Sequence, residues 1–293
     1  MEKIIVPAPA KINLALDIIG KRDDGFHEVE MIMQSISLHD IIEIERTNKG
    51  IHIEVYNSDL PTDENNIAYR AAELMLKEKD VSTGVSIKIK KDIPVAAGLA
   101  GGSTDAAAVL TGLNILYGLH FSREELYAIG AKIGSDVPFC IDGGTALAYG
   151  RGEKIKQLPD IEERYIVLVN PGIEISTPWA YNRFASTKID KKINIKKLSR
   201  IIIDKKKIDW NEGWQNVMES LVFPVYKEIE EIKGYLKEIG ANHSLMSGSG
   251  SSVFGIFEDR KKAEKAIRKW PRSDDFITLT KTVKKGFYEL WRN

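Results

Sequence analysis

The chain has 293 residues, long for one compact core and enough for two lobes, and 43% of them are hydrophobic, which excludes a disordered chain. Lysine plus arginine number 42 and so do aspartate plus glutamate, so the formal net charge is zero, which argues against a nucleic-acid partner and its usual basic excess. The single cysteine, Cys140, rules out an intrachain disulfide, residues 1–7 lack the apolar stretch of a signal peptide, and no apolar run reaches bilayer length, so the expectation is a soluble, cytoplasmic protein without a membrane partner.

Residues 11–19 alternate: Ile12, Leu14, Leu16 and Ile18 point one way, and Lys11, Asn13 and Asp17 the other, the pattern of a strand with one apolar face. Lys21-Arg22-Asp23-Asp24-Gly25 reads as a turn, and residues 29–38, 41–45 and 51–56 as further strands of a largely antiparallel sheet. Asn65-Asn66 marks the start of a helix that runs to Lys79, with asparagine as its cap. A short strand at 85–89, a Gly/Ala-rich loop and an apolar helix over 103–116 come next. Ser122 with Glu125 forms a capping box for another helix, which Gly134 ends. Cys140, among Val137, Pro138, Phe139 and Ile141, reads as a buried apolar side chain. A strand covers 165–169, and 186–207, rich in Lys and Ile with no clear helical stripe, reads as a solvated, mobile segment rather than a nucleic-acid patch, since it has no aromatics. Helices are expected at 214–221, 224–239 and 260–270 and a last strand at 276–283. Both halves mix helix and sheet, so the class is α+β, with a boundary in the polar stretch 157–163 and domains 1–158 and 159–293.

The chemistry concentrates in Pro94-Val95-Ala96-Ala97-Gly98-Leu99-Ala100-Gly101-Gly102-Ser103-Thr104-Asp105. Glycines let the backbone approach a ligand, and the helix that starts there offers free N–H groups and a positive dipole end, which suits di- or triphosphate. No Gly-Lys-Ser/Thr ends the loop and the glycines do not space as Gly-x-Gly-x-x-Gly, so it is neither a Walker loop nor a dinucleotide fingerprint. A flexible connector before an Ala-rich core helix is the plainer alternative.

This loop resembles the phosphate loop of the GHMP kinases, the superfamily of galactokinase, homoserine kinase and mevalonate kinase. Two further motifs of that superfamily stand in order, Pro9-Ala10-Lys11-Ile12-Asn13-Leu14 and Met246-Ser247-Gly248-Ser249-Gly250-Ser251-Ser252-Val253-Phe254. Lys11 to Leu16, Arg22-Asp23-Asp24-Gly25-Phe26-His27-Glu28 and Gly134-Ser135-Asp136-Val137-Pro138-Phe139 narrow the likeness to members that phosphorylate a cytidine-diphosphate sugar alcohol. It covers nearly the whole chain. It implies a two-lobed fold with the active site in the inter-lobe cleft, ATP with Mg²⁺, a C2 hydroxyl as acceptor on the non-mevalonate route to isoprenoid precursors, and a monomer or homodimer. The family commonly has tyrosine where Phe26 stands, so the ring is kept and its hydroxyl lost.

The resemblance makes Asp136 a general base and Lys11 its cationic partner; by sequence alone Asp136 reads as a helix cap and Lys11 as a solvated strand lysine. Asn13, on the same face as Lys11, is assigned to the acceptor, or else to a strand-edge hydrogen bond. Phe26 and Tyr181, with Trp179 as the alternative to Tyr181, are expected to sandwich cytosine while His27 reads its edge; taken alone, Phe26 reads as core and His27 as surface. Asn66 matches a residue near the adenine pocket, and Gly248, Ser249 and Gly250 close over the phosphates or merely turn the chain. The ATP-binding set is Asn66 with Pro94, Val95, Ala96, Ala97, Gly98, Leu99, Ala100, Gly101, Gly102, Ser103 and Thr104. The protein ligands of Mg²⁺ are unassigned, with Ser103 the candidate. The competing readings are another GHMP kinase of homoserine or mevalonate type, a non-catalytic nucleotide-binding module, and a Rossmann oxidoreductase, the last opposed by the lack of an opening strand-helix alternation.

Overall fold

Two long antiparallel strands, β1 (Lys3–Lys21) and β2 (His27–Thr47), open the chain around the turn after Lys21. They are followed by β3 (Ile51–Tyr56), helix α1 (Ile67–Glu78), β4 (Gly84–Lys90), helices α2 (Gly101–Leu116), α3 (Arg123–Ile133) and α4 (Val137–Asp142), β5 (Thr145–Gly150) and β6 (Lys154–Gln157). These six strands form one sheet in the order β3-β4-β2-β5-β6, with β1 paired to β2; only β3 and β4 run parallel. The remainder is β7 (Tyr165–Asn170), α5 (Thr177–Ala185), α6 (Ile195–Ile203), α7 (Glu219–Val222), α8 (Lys227–Glu238), β8 (His243–Met246), β9 (Val253–Phe257), α9 (Arg260–Arg268) and β10 (Phe276–Lys281), its strands forming an antiparallel sheet ordered β10-β7-β9-β8. The computed structural model describes residues 2–185, 187 and 192–286. The α+β expectation holds, and none of the described helices is long and apolar enough to cross a membrane.

β1 belongs to two cores. Its register against β2 shifts between Asn13 and Ala15, where one extra residue enters β1. A bulge of this kind turns the following side chains to the other face. Ile12, Leu14 and Ala15 therefore pack with Leu168, Trp214 and Phe254, while Leu16 and Ile18 pack with the helices α1 to α4. The strict alternation expected for 11–19 breaks at that point.

Three other expectations change. Residues 29–38 and 41–45 lie on one strand, because Asp40 is fully buried and hydrogen-bonded to the backbone of Asp92 and Ile93 and to Lys91, and so makes no turn. The segment expected to be solvated contains α6, with Ile195, Leu198 and Ile202 buried on one face and Asn194 capping the Lys197 amide; residues 186 and 188–191 lie outside the described residues. Of 214–221 only 219–221 is helical, within α7, because Leu16 takes the Gln215 carbonyl and the Val217 amide in a strand-like bridge. The Asn66 cap on α1 and the Ser122–Glu125 capping box on α3 form as expected.

Candidate active site

Two glycine-bearing loops meet over the first turn of α2. In the first, Ala96, Gly98 and Ala100 have φ of 53°, 75° and 59°, and such alternation turns backbone N–H groups to one side. Gly98 is glycine for two reasons, since besides its left-handed backbone a Cβ there would lie 2.2 Å from Ser247 O and 2.9 Å from Gly250 O of the second loop. The Gly98 carbonyl accepts from Lys11 Nζ (3.0 Å) and Ser247 Oγ (2.9 Å), and Asn216 Nδ2 secures the second loop by donating to Met246 O and Gly248 O, each at 2.8 Å. No side chain caps α2 at Ala100, and the Thr104 amide bonds to the Ala100 carbonyl; Gly101, Gly102 and Ser103 line the cleft ahead of it. An uncapped helix start against a cleft is an anion cradle. Beside it Lys91 is held between Asp40 (2.5 Å) and Asp105 (2.7 Å), all three buried. Burial pushes the Asp105 carboxyl well up against the opposing pull of Lys91.

The Lys11 ammonium has three N–H donors, and two go to Asn13 Oδ1 (2.8 Å) and Gly98 O (3.0 Å). Nζ also stands 3.8 Å from Asp136 Oδ2, with the lysine side chain 5% exposed and the aspartate 28%. Asp136 occupies the N-cap position of α4, yet its side chain makes no capping hydrogen bond. The cap alternative thus fails on geometry, and the carboxylate faces the cleft. Asn13 Nδ2 donates to Met31 Sδ at 3.1 Å, so the amide clamps Lys11 from below. Burial pushes the Cys140 thiol up, which agrees with an inert core cysteine.

At the other end of the cleft the aromatic residues are arranged differently from a simple pair. Phe26 is 51% exposed under the Arg151 guanidinium, 4.9 Å from the ring centroid. His27 is buried; its ring stacks on Tyr181 (5.1 Å, 25°) and meets Phe184 edge-on (5.8 Å, 90°). Burial, then the charge of Lys21, lowers the His27 pKa, so the imidazole is neutral, and its Nε2 has no hydrogen-bond partner. Burial, then Asp136, pushes the Tyr181 hydroxyl up. Tyr181 lines the cleft, whereas Trp179 packs on Tyr226 away from it. The whole cleft, about 840 Å³, runs from the phosphate loop past Lys11 and Asp136 to this cluster.

The family descriptions GHMP kinases N terminal domain and GHMP kinases C terminal match residues 66–144 and 206–274. The chain is 47% identical over 283 residues to the 4-diphosphocytidyl-2-C-methyl-D-erythritol kinase of Acetivibrio thermocellus, spanning 97% of this chain and 100% of that one. This chain belongs to the 4-diphosphocytidyl-2-C-methyl-D-erythritol kinase family. The kinase of the same name from Bacillus pumilus is 44% identical over 264 residues, 90% of this chain and 91% of its own. A crystal structure of 4-(cytidine 5'-diphospho)-2C-methyl-D-erythritol kinase matches with a TM-score of 0.79 at 32% identity, covering 94% of this chain and 99% of that one. Homoserine kinase from Cytophaga hutchinsonii, at 18% identity and a TM-score of 0.75 over 97% and 96% of the two chains, shares the fold.

Most residues singled out from sequence converge on the cleft: Lys11, Asn13, Phe26, His27, Asp136, Tyr181, Gly248 and Ser249, with 94–98 and 100–103 of the phosphate loop. Four do not line it. Leu99 is buried in the second core cluster, and Thr104 is buried within α2. Gly250 abuts Met246 and Ile175, and Asn66 caps α1 while donating to the Pro61 carbonyl. Among the lining residues that were not anticipated are Leu60 and Ile67 beside the phosphate loop, Lys91 and Arg151. Arg151 had a legible signal, a lone cation between Gly150 and Gly152, both at positive φ; Leu60 and Ile67 had none.

Proposed function

We propose that this chain transfers the γ-phosphoryl group of ATP to the C2 hydroxyl of 4-diphosphocytidyl-2-C-methyl-D-erythritol, a step of the non-mevalonate route to isoprenoid precursors. The observation that carries the reading is the Lys11–Asp136 pair, 3.8 Å apart between an anion cradle and an aromatic cluster in one cleft. Asp136 takes the proton of the acceptor hydroxyl as its oxygen bonds to phosphorus and the bond to the β–γ bridging oxygen breaks, releasing ADP. Lys11, fixed by Asn13 and Gly98 beside Asp136, offsets charge on the transferred group. In this reading Asn13 serves the acceptor through Lys11. The amides of Gly101, Gly102 and Ser103 receive the phosphates, with Gly248 and Ser249 opposite them.

Phe26 and Tyr181 provide the faces for cytosine, and the neutral His27 supplies edge hydrogen bonds that stacking cannot. Arg151, above Phe26, is placed for the diphosphate. Among the described residues no cluster of three His, Cys, Asp or Glu side chains is arranged to hold a metal. The donor set fits Mg²⁺ brought in on phosphate oxygens, with Asp136 and Ser103 as the nearby protein oxygens; the ion would supply charge neutralisation there. ATP use and a single buried cysteine fit a cytoplasmic setting.

The test is ATP turnover with the cytidine substrate, its uridine analogue, homoserine and mevalonate. The cytidine substrate should win by a wide margin in kcat/KM. Equal use of the uridine analogue, or preference for homoserine or mevalonate, removes the assignment.

A further inference from the structure

Phe26 and His27 line the cleft, while Arg22, Asp24 and Glu28 of the same stretch stand outside its lining. The three charged side chains are joined to one another. The Arg22 guanidinium lies between two carboxylates, with Nε 3.1 Å from Asp24 Oδ2 and Nη1 2.7 Å from Glu28 Oε2. Asp24 Oδ1 accepts the Phe26 amide at 3.1 Å, and the Arg22 amide donates to the Phe26 carbonyl at 2.8 Å. The turn therefore holds Phe26 by both its amide and its carbonyl, an Asx-type closure that aspartate suits.

Glu28 also reaches the other way. Its second oxygen, Oε1, accepts the Gly150 amide at 3.1 Å. Gly150 ends β5, and the β2–β5 ladder stops at its pairing with Val29. The next residue is Arg151, whose amide donates to Glu153 Oε2 at 2.6 Å and whose guanidinium stands 4.9 Å from the Phe26 ring centroid. Glu28 is thus bivalent, with one oxygen on the turn that carries the ring and one on the hairpin that carries the cation. Hydrogen bonds to an ionised carboxylate are shorter and stronger than neutral ones. With side chains 31% and 39% exposed, the Arg22–Glu28 pair adds little to global stability. Its effect is geometric, because it carries the registration of β2 and β5 past the last ladder pair and into their turns. The far side of the hairpin is packed independently: a Cβ at Gly152 would lie 2.8 Å from Met31 Cε and 3.7 Å from Ser135 Cβ, next to Asp136.

We propose that Glu28 is a positioning residue for the acceptor: by gripping both turns it holds Arg151 over the Phe26 ring, and so sets the affinity for the cytidine-diphosphate group without touching it. The inference rests on the assignment of Phe26 and Arg151 to that group. The phosphate loop and the Lys11–Asp136 pair are held by other contacts, so nucleotide binding and turnover do not depend on this bridge.

The experiment measures kcat, both KM values and the melting temperature for the full chain and for Glu28→Leu, Glu28→Gln, Arg151→Met and the Glu28→Leu/Arg151→Met double variant. Glu28→Leu removes both grips; its acceptor KM should rise roughly 10-fold, the worth of a charge-assisted hydrogen bond reduced for exposure to solvent, while kcat and ATP KM stay within about 3-fold of the parent. Glu28→Gln keeps an oxygen for the Gly150 amide and should return the acceptor KM to within about 3-fold of the parent. Because Glu28 acts through Arg151, the double variant should bind the acceptor little worse than Arg151→Met alone. A glutamate with a merely structural role would lower the melting temperature and move both KM values together. That pattern, a parental acceptor KM in Glu28→Leu, or full additivity in the double variant overturns the inference and leaves the cytidine assignment standing. A Glu28→Gln protein as weak as Glu28→Leu overturns the grip on Gly150. A parental acceptor KM in Arg151→Met overturns the placement of Arg151 and the inference with it.

Discussion

Gly98→Ala is the sharpest perturbation of the loop junction. The new Cβ would lie 2.2 Å from Ser247 O and 2.9 Å from Gly250 O, both backbone atoms that no rotamer change can move. The left-handed backbone, φ 75°, costs about 1–2 kcal/mol for a residue with a Cβ, and forcing packed loops apart costs about 1–3 kcal/mol. Lower entropy of the unfolded alanine chain offsets roughly 0.4–1 kcal/mol, leaving a loss on the order of 2–4 kcal/mol. With an unfolding entropy of about 2.1 cal/mol/K per residue over this chain, the melting temperature should drop by roughly 3–7 °C. Turnover should fall further than stability, because the displaced Gly98 carbonyl is the acceptor of Lys11 Nζ; a misplacement of about 1 Å at a reacting group can cost roughly 100-fold. The assay is scanning calorimetry with initial rates at saturating substrates, and Gly102→Ala is the control. There the Cβ meets only the Ile67 side-chain tip at 3.2 Å, which can yield, so melting should stay within about 1 °C of the parent. A Gly98→Ala protein that melts and turns over like the parent refutes the reasoning.

Asp136→Asn should lower kcat by roughly 100- to 10,000-fold with little change in nucleotide affinity, and Lys11→Met should add less than its separate effect, since the two act as a unit; rates and calorimetry of the single and double variants decide it. His27→Ala should narrow the preference for the cytidine acceptor over its uridine analogue, while Phe26→Ala should raise acceptor KM and leave ATP KM in place, both read in competition assays. His243 has a pKa pushed down to about 4 by burial first and then by Lys233 and Lys237. A base depressed in the folded state binds its proton more readily unfolded, so its stabilising contribution is full above pH 6.5 and is lost as pH falls from there to about 4. His243→Gln should remove a swing of roughly 3 kcal/mol across that window in denaturant melts; an identical pH dependence would contradict it.

Much of the site was legible because its chemistry is local in sequence. The phosphate loop, the Lys11 strand and the Ser247–Ser252 turn each announce a backbone need through glycine or small residues, and all three meet at Gly98 O. What could not be read depends on pairing across the fold. The bulge that parts Leu14 from Leu16 shows only as a register shift against β2. The unbroken β2 depends on Lys91, distant in sequence, neutralising a buried Asp40. α6 was hidden because Lys196, Lys197 and Arg200 crowd a stripe of only three buried apolar residues. Asn66 illustrates the limit of a shared position, since the geometry gives both ends of its amide to the loop and helix around it.

The stitching along β1 limits how substrates can be admitted. Leu16 exchanges backbone hydrogen bonds with Gln215 and Val217, Lys11 is tied to the Gly98–Leu99 loop, and Gln34 on the neighbouring strand donates to the Val283 carbonyl. A jaw-like swing of one half against the other would break the Leu16 and Gln34 bonds at once. α5 is secured to the cleft walls by side chains, through the Thr177–Ser249 hydroxyl pair and the ring of Tyr181 on His27. Held by side-chain contacts where β1 is held by backbone bonds, α5 should have amides that exchange with solvent faster than those of β1.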